Sequence, residues 1–355
     1  MPLEPTSSGA APVPYADLTP GAVLDALDGV GLCGDGRLIQ LNSYENRVFQ
    51  VFLEGGRVVV AKFYRPARWS DEQILEEHAF AAELARGEIP VAAPIVIERN
   101  AGSPHAQSVS SVGPTLALFT TDVGSEYRFG VTERHAGRAP ELEDPEVRRW
   151  LGRFIGRLHA VGAAAAFTHR ITLDGATYGE ASRDFLIERD LVSADVAERW
   201  RALADQALAA CRIAFDGVEP KRLRLHGDCH PGNVLWTAAG PHFVDLDDAV
   251  NGPAVQDLWM LLSGDRAAMT RQLLDVLEGY EAFIDFDWRE LRLLEPLRTL
   301  RMLHHSAWIA RRWSDPTFPI NFPWFASPAY WADQCARLEE QLEAMAEPPL
   351  GGPSP

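Results

Sequence analysis

The sequence predicts an α+β fold of two lobes, a small β-rich N-terminal lobe followed by a large, mainly helical C-terminal lobe. A chain of 355 residues is long enough for two lobes. Residues 47–52 and 58–64 are β-branched and aromatic runs separated by E-G-G, which predicts a hairpin. From residue 146 onward, apolar residues recur mostly at helical spacing, as in the segment 146–161.

The ends of the chain and one polar segment predict the domain boundaries. Residues 1–18 and 348–355 are rich in Pro, Ala, Gly and Ser, and we expect them to be disordered tails. The N-lobe is predicted over 19–121 and the C-lobe over 122–347. The polar segment 120–124 is expected to be the hinge.

Further elements follow from capping signals and periodicity. In the N-lobe, Ser70 is the expected N-cap of a helix that ends near residue 86, and residues 115–119 read as another strand. Pro296 is expected to kink or split one of the C-lobe helices. Those helices are predicted at 193–215, 255–263, 267–284, 288–313 and 329–346, with short strands at 223–225 and 242–246.

Composition excludes several classes of function. The formal net charge of −17 argues against binding to nucleic acid, and a site for anions would have to import positive charge, for example as Mg²⁺. No run of 18 apolar residues or basic-then-apolar N-terminal segment is present, so neither a membrane span nor a signal peptide is expected. The four cysteines form no C-x-x-C pair, which favours reduced thiols in a cytoplasmic protein.

The most informative motif is L-H-G-D-C-H-P-G-N at residues 225–233. Asp228 is followed five positions later by Asn233, and Asp245 follows a predicted strand in F-V-D-L-D-D. Phosphoryl transfer needs one carboxylate to accept or orient the attacking hydroxyl, and an amide oxygen and a second carboxylate to hold Mg²⁺ against ATP. Asp228 fits the first catalytic role, and Asn233 with Asp245 fits the second. Asp247 or Asp248 is either a second ligand or a cap of the next turn.

Lysine usage points to a second part of the site. Lys62 and Lys221 are the only two lysines, whereas arginine supplies the other basic residues. Lys62 lies mid-strand in V-V-V-A-K-F-Y, where an ammonium group could hold the ATP phosphates; an edge-strand Lys in water is the alternative. Its helix partner is predicted to be Glu77. Glu76 is adjacent and points about 100° away, so only one of the two can face the site; the alternative is that both are solvated surface charges.

A phosphate-covering loop is expected between the first two strands, in L-N-S-Y-E-N-R at residues 41–47. It lacks the glycines of a G-x-G-x-x-G loop. Ser43 is the candidate for contact with an ATP phosphate through its hydroxyl and backbone N–H. An ordinary polar hairpin turn is the alternative.

Supporting residues are expected around the catalytic loop. His226 is expected to organise the loop, and His230 either lines the site or is structural. Helix capping would explain Asp257, and a compatible hypothesis is that its carboxylate accepts backbone N–H groups from the loop and fixes the shape of that loop. A further set of arginines forms either a basic wall opposite the site or ordinary ion pairs: Arg298, Arg301, Arg311 and Arg312.

The motif H-G-D-x-x-x-x-N, followed by a strand and D-x-D, resembles the aminoglycoside phosphotransferase and choline kinase superfamily, whose fold is bilobal and protein-kinase-like. Longer segments between about residues 41 and 325 resemble the bacterial stress response kinase A (YihE) family. They are L-N-S-Y-E-N-R, K-F-Y-R-P-x-R-W, I-L-E-E-H, V-A-A-P, F-V-D-L-D-D-A-x-N-G-P-A-V-Q-D-L-W-M-L-L and R-R-W-x-D-P-x-F-P-x-N-F-P-W.

The resemblance implies a cytoplasmic, Mg²⁺-dependent serine/threonine protein kinase of the envelope and oxidative stress response. It implies Asp228 as proton acceptor, Asn233 and Asp245 on Mg²⁺, and Ser43 at the ATP site, with ATP bound between the lobes. The expected partner is a protein with a Ser or Thr acceptor, including the chain itself, and a monomer is expected. Two alternatives are a kinase of small alcohols such as choline, homoserine or aminoglycosides, and a nucleotide-sensing module with little transfer activity.

Overall fold

The computed structural model describes residues 13–351, so most of the predicted N-terminal tail and the last four residues lie outside the described part. Within the predicted tails, Tyr15, Leu18 and Leu350 are buried. Tyr15 stacks on Tyr127 with ring centroids 5.7 Å apart. The predicted tails therefore extend too far into the chain. Average composition does not reveal that single apolar residues in these segments are buried.

The strands of residues 13–351 form one large sheet and two short ribbons. The large sheet has the order β1-β2-β3-β6-β5-β4, and the ribbons pair β7 with β10 and β8 with β9. The strands are β1 (Gly34–Leu41), β2 (Arg47–Leu53), β3 (Val58–Phe63), β4 (Val109–Gly113), β5 (Leu116–Thr120), β6 (Glu126–Glu133), β7 (Leu223–Leu225), β8 (Val234–Thr237), β9 (Gly240–Phe243) and β10 (Val250–Gly252).

The helices lie mainly in the second half of the chain. They are α1 (Pro20–Asp28), α2 (Asp71–Arg86), α3 (Pro145–Gly162), α4 (Ala181–Glu188), α5 (Ala197–Val218), α6 (Gln256–Trp259), α7 (Arg266–Tyr280), α8 (Leu294–Arg311), α9 (Thr317–Asn321) and α10 (Pro328–Ala346). Short 3-10 turns cover Pro231–Asn233, Leu246–Asp248 and Trp288–Leu293, and a π-helical turn covers Gly175–Glu180. No helix in the described part of the chain is both long and apolar enough to cross a membrane.

Two compact units make up the chain. The first contains residues up to Trp69 together with Val96–Val131 and Arg312–Asn321, and the second contains Ser70–Ile95, Thr132–Arg311 and the chain from Phe322 onward. An α+β chain with a β-rich first part and a mainly helical remainder is therefore confirmed. The predicted lobe boundaries remain a prediction.

The first unit is built on the large sheet. Along β3, burial alternates so that Val59, Ala61 and Phe63 face the core, and Lys62 lies on the other face, as predicted. Phe63 stacks on Phe129 of β6 at 5.2 Å. These large apolar side chains from neighbouring strands hold the sheet in register.

Two local predictions need correction. Residues 120–124, predicted as a hinge, form the turn of the antiparallel β5–β6 hairpin, with Thr121 N–H donating to Ser125 C=O at 2.9 Å. Polar residues with a glycine suit a tight turn as well as a hinge. The strand predicted at 242–246 ends at Phe243, because Asp245 adopts a left-handed conformation with φ 61°.

The helical predictions are otherwise close. Ser70 caps α2 through a full capping box with Gln73, as a Ser with Gln three residues later predicts. Pro296 lies in the first turn of α8, directly after a 3-10 segment, so the predicted long helix is split there. The helix predicted at 255–263 is only the short α6.

In the second unit, α3 packs closely on α7. A Cβ atom at Gly152 would lie 1.9 Å from the carbonyl oxygen of Val276, so only glycine permits this approach. The close packing matters for the site because α3 carries His159 and α7 carries Tyr280, and both side chains support the catalytic loop.

Candidate active site

The predicted catalytic loop lies in the second unit and begins where β7 ends. β7 pairs in antiparallel fashion with β10, and the loop then enters the 3-10 turn Pro231–Asn233. The β8–β9 ribbon returns the chain, and Val244 N–H donates to the carbonyl oxygen of Asn233 at 3.0 Å. The two halves of the motif, which are separated in sequence, are therefore joined by backbone hydrogen bonds.

Asp257 holds the backbone of the loop through hydrogen bonds. Its fully buried carboxylate accepts the backbone N–H of His226 and that of Gly227, each at 2.8 Å, through different oxygens. This confirms the prediction that Asp257 binds the loop backbone, whereas helix capping is not its role. A buried carboxylate needs such partners, because burying an uncompensated charge is very costly.

A second set of contacts fixes Asp257 itself. His159 Nε2 donates to Asp257 at 3.0 Å, and His159 Nδ1 accepts from the hydroxyl of Tyr280 at 2.9 Å. Burial raises the pKa of the Tyr280 hydroxyl, so this group stays protonated and can donate. The result is a buried chain from α7 through α3 to the loop, which sets the tautomer of His159.

Gly227 permits the sharp turn before Asp228. Its φ is +84°, and an added Cβ would lie 2.0 Å from the carbonyl oxygen of Asp248. The Gly227 carbonyl accepts from Gln256 Nε2 at 2.9 Å, and His226 Nε2 donates to the Val244 carbonyl at 3.0 Å. His226 therefore organises the loop, as predicted.

The Asp228 carboxylate is surrounded by positive charge and donors. Arg301 Nη1 lies 2.8 Å from Oδ1, and His230 Nε2 lies 3.4 Å from Oδ2. Asn233 Nδ2 donates to the Asp228 carbonyl at 3.0 Å and lies 3.4 Å from Oδ2. Burial acts to raise the pKa of the Asp228 carboxyl, but the His230 hydrogen bond and the Arg301 charge outweigh it and hold that pKa well below its usual range. Asp228 is therefore ionised at neutral pH.

Of the four arginines suggested as a basic wall, only Arg298 and Arg301 line a common pocket. Arg298 pairs with Glu295 on its own helix at 2.9 Å, and Arg311 donates to the Ala181 carbonyl at 3.2 Å. Arg312 belongs to the first unit, where its guanidinium lies 2.6 Å from Glu45. Only Arg301 contacts Asp228, and the helical spacing of α8 did not distinguish it from its neighbours.

The residues predicted to bind metal are suited to that role. The Asn233 contacts with Asp228 use its amide nitrogen, so Oδ1 is the atom that would face a cation. Asp245 is exposed at the start of the 3-10 turn Leu246–Asp248, whereas Asp247 is buried. Among residues 13–351, no three His, Cys, Asp or Glu side chains converge to hold a metal ion. Oxygen ligands of this small number fit Mg²⁺, which commonly uses one or two carboxylates together with substrate phosphates and water.

The adjacent glutamates of α2 have different environments. The Glu76 carboxylate accepts the backbone N–H groups of Thr168, His169 and Arg170 at 2.5, 2.8 and 2.8 Å. Glu77 is buried, with its carboxylate 3.8 Å from the imidazole of His78. Glu76 is thus committed to the backbone of a loop in the second unit, which sequence position alone did not reveal.

The first unit carries Ser43 and Lys62. Ser43 lies between β1 and β2, and its hydroxyl accepts from the Asn46 N–H at 3.4 Å. Asn46 Oδ1 in turn accepts the backbone N–H of Arg65 at 3.0 Å. Lys62 Nζ lies 5.8 Å from the centroid of the Tyr64 ring. The roles predicted for Ser43 and Lys62 stay predictions.

Buried ion pairs order the Ser43 loop, and sequence reasoning missed them. Glu45 lies 2.8 Å from Arg65 and 2.6 Å from Arg312, and Arg65 also lies 2.7 Å from Asp315. Each of the segments 41–47 and 312–321 carries one acidic and one basic residue. Their pairing required the tertiary structure, because the two segments are far apart in sequence.

Comparison with known proteins decides the family. Residues 37–294 match the profile of the phosphotransferase enzyme family, APH. The chain is 42% identical over 336 residues to stress response kinase A of Escherichia coli (strain K12), covering 95% of this chain and 96% of that protein. It belongs to the phosphotransferase enzyme family, as a relative of the stress response kinases A. A 41% identical relative of Salmonella typhimurium (strain LT2), with the same coverage, is named serine/threonine protein kinase RdoA.

Solved structures with a similar fold support the predicted architecture. The amicoumacin kinase hAmiN, in complex with AMP-PNP, Ca²⁺ and Ami, has a TM-score of 0.65 at 17% identity, covering 89% of this chain and 90% of that one. A microcompartment-associated aminopropanol kinase has a TM-score of 0.64 at 19% identity, covering 92% and 98%. The predicted kinase-like fold and the predicted family are thus confirmed.

Proposed function

We propose that this phosphotransferase is an ATP- and Mg²⁺-dependent serine/threonine protein kinase. The observation that carries the proposal is an ionised Asp228 on a loop whose backbone is held by the buried carboxylate of Asp257. Asn233 lies beside it at the spacing expected for a metal ligand. The stress response kinases and RdoA, to which the chain is similar over nearly its whole length, support a protein acceptor.

In the proposed reaction, the hydroxyl oxygen of the acceptor forms a bond to the γ-phosphorus of ATP, and the bond to the β–γ bridging oxygen breaks to release ADP. The hydroxyl proton passes to Asp228. Because the pKa of Asp228 is well below its usual range, the carboxylate is a weak base. It therefore acts mainly by orienting the hydroxyl, and it takes the proton late, when the acceptor oxygen has become acidic.

Asn233 and Asp245 are the residues that would hold Mg²⁺. A bound Mg²⁺ would neutralise the charge that develops on the phosphates. Asn233 would contribute its amide oxygen, since its amide nitrogen already lies toward Asp228. Asp245 would contribute the exposed carboxylate that its left-handed backbone places at the start of the turn.

Lys62, with Glu77 as its partner, is proposed to align the nucleotide phosphates, and Ser43 is proposed to contact ATP. The Glu76 carboxylate already accepts hydrogen bonds from three backbone N–H groups, which favours Glu77 as the partner of Lys62. We further propose a cytoplasmic monomer that acts on protein serine or threonine, including its own, in the stress response.

The test is transfer of label from γ-labelled ATP with Mg²⁺ to protein acceptors, with an Asp228→Asn variant as control. The expected result is label on serine or threonine that disappears in the variant and falls by orders of magnitude in Asp245→Ala. ADP formed only when a small alcohol is supplied would move the assignment to a metabolite kinase. Stoichiometric ATP binding without ADP release would favour a nucleotide sensor.

A further inference from the structure

A pocket of about 690 Å³ in the second unit lies next to Asp228. Arg301 connects the two: it lines the pocket, and its guanidinium lies 2.8 Å from Asp228 Oδ1. Helix α8 supplies one wall, and the N-terminal half of α10 supplies another. If the acceptor hydroxyl binds Asp228, the parts of the acceptor next to that hydroxyl would lie near this pocket.

More arginines than carboxylates line the pocket. Arg298, Arg301 and Arg337 line it with one carboxylate, Asp333, while Glu295 and Asp228 pair with Arg298 and Arg301 from outside the lining. The chain as a whole has 33 basic and 50 acidic residues, so this excess of arginine is local. Burial, with the Arg301 charge, lowers the pKa of His305 in the same wall to about 4, so this imidazole adds no charge at neutral pH.

The arginines differ in how easily each could leave its present ion pair to bind a ligand. Arg337 pairs with Asp333 at 2.6 Å, but these side chains are 58% and 53% exposed, and such surface pairs contribute little. Arg298 is held by both oxygens of Glu295 and lies 5.4 Å from the Trp259 ring centroid. Arg337 is therefore a cation of the rim that an incoming carboxylate could engage at low cost, whereas Arg298 is a fixed part of the wall.

Aromatic side chains shape the rest of the pocket. Trp259, Trp324 and Tyr330 line it, and Trp324 packs against Tyr330 with centroids 4.9 Å apart while staying 42% exposed. An exposed tryptophan beside arginines gives a surface for an extended polypeptide that carries acidic side chains. A cationic acceptor, such as an amino alcohol, would instead meet like charge.

We infer that this pocket selects acceptor segments that carry acidic residues beside the phosphorylated serine or threonine, with Arg301 and Arg337 as the selecting cations. The inference rests on the proposed function and names its substrate class. An acidic side chain next to the acceptor hydroxyl would pair with Arg301 and draw it from Asp228 Oδ1. That oxygen would then be available to the hydroxyl, so an acidic neighbour would both bind the segment and prepare the base.

The experiment uses the full-length protein and peptides that hold one serine among alanines, with two Glu, two Gln or two Lys within three residues of it. The expected kcat/KM for phosphate transfer is about five- to tenfold higher for the Glu peptide than for the Gln peptide, and lowest for the Lys peptide. The preference is expected to shrink as salt is raised, since exposed charges are screened. Equal rates, or a preference for Lys, would overturn the inference.

The variant Arg337→Gln is expected to reduce the ratio of Glu to Gln peptide about threefold. Its matched control is Arg199→Gln. Arg199 pairs with Glu339 at 2.8 Å, with side chains 56% and 47% exposed, and does not line the pocket. An unchanged ratio in the control and a reduced one in Arg337→Gln supports the inference, and an equal effect of both variants refutes it.

Peptide binding separates this inference from the proposed function. If no peptide accepts phosphate, the proposed protein kinase activity fails, but fluorescence anisotropy of labelled peptides still reports the pocket. Tighter binding of the Glu peptide than of the Lys peptide, weakened in Arg337→Gln, supports the charge selection without transfer. The opposite order of binding would refute it.

Discussion

Replacing Asp257 by Asn is expected to loosen the catalytic loop. The Asp257 carboxylate accepts His226 N–H and His159 Nε2–H through one oxygen and Gly227 N–H through the other. An Asn side chain has only one oxygen. If that oxygen keeps the hydrogen bonds from His226 and His159, the NH₂ group faces the Gly227 N–H. The loss of one hydrogen bond to a buried charge, which leaves the Gly227 N–H unsatisfied, costs about 1.5–3 kcal/mol. The free energy of unfolding should therefore fall by about 2–3 kcal/mol.

Urea unfolding followed by tryptophan fluorescence measures this change, because every tryptophan except Trp69 and Trp313 lies in the second unit. Phosphate transfer should also fall by about 10²-fold, since a shift of the loop misplaces Asp228. The control is Asp265→Asn, at the N-cap of α7, where Asn caps about as well as Asp and a change within about 0.5 kcal/mol is expected. A loss below about 1 kcal/mol in Asp257→Asn, with normal transfer, would refute this account of the loop.

Three further changes test the site and its surroundings. Gly227→Ala should lower the free energy of unfolding by about 2 kcal/mol or more in the same urea assay, because the φ of +84° and the Asp248 carbonyl leave no room for a Cβ; full stability would contradict the geometry. Arg301→Gln should raise the pKa of Asp228 and move the acidic limb of the kcat/KM–pH profile to higher pH, and an unmoved limb would show that the ion pair does not set that pKa. Burial raises the pKa of Glu290 to about 7, above its unfolded value, so the stability that this group contributes is present at low pH and is lost as pH rises toward 7. Glu290→Gln should accordingly flatten the urea midpoint between about pH 5 and pH 7, and a slope equal to that of the wild type would exclude this role.

Sequence reasoning reached the residues whose chemistry depends on local spacing. Asp228 and Asn233 are five residues apart on one loop, and the structure brings the carboxylate and the amide within 3.4 Å. Ser70 predicted the start of α2 for a similar reason, since a helix cap is a contact within one turn. Asp257 was within reach because a carboxylate at the start of an apolar helix is rarely buried without backbone partners.

The same reasoning did not separate residues that have equivalent local signals. Glu76 and Glu77 are adjacent on one helix, and only the approach of the backbone at residues 168–170 shows which carboxylate is committed there. Arg298 and Arg301 lie one turn apart on α8, yet only Arg301 contacts Asp228. The polar segment 120–124 is compatible with a hinge and with a hairpin turn, and the pairing of β5 with β6 decided between them.

By itself, the sequence determined the fold class, the family and the ionisable groups of the catalytic loop, because these depend on periodicity and on spacing within a few residues. The tertiary structure alone decided which arginine meets Asp228, how His159 and Tyr280 support Asp257, and where an arginine-lined pocket forms. These features join helices that are distant along the chain. Their distances are set by how the helices pack, and residue spacing carries no information about that packing.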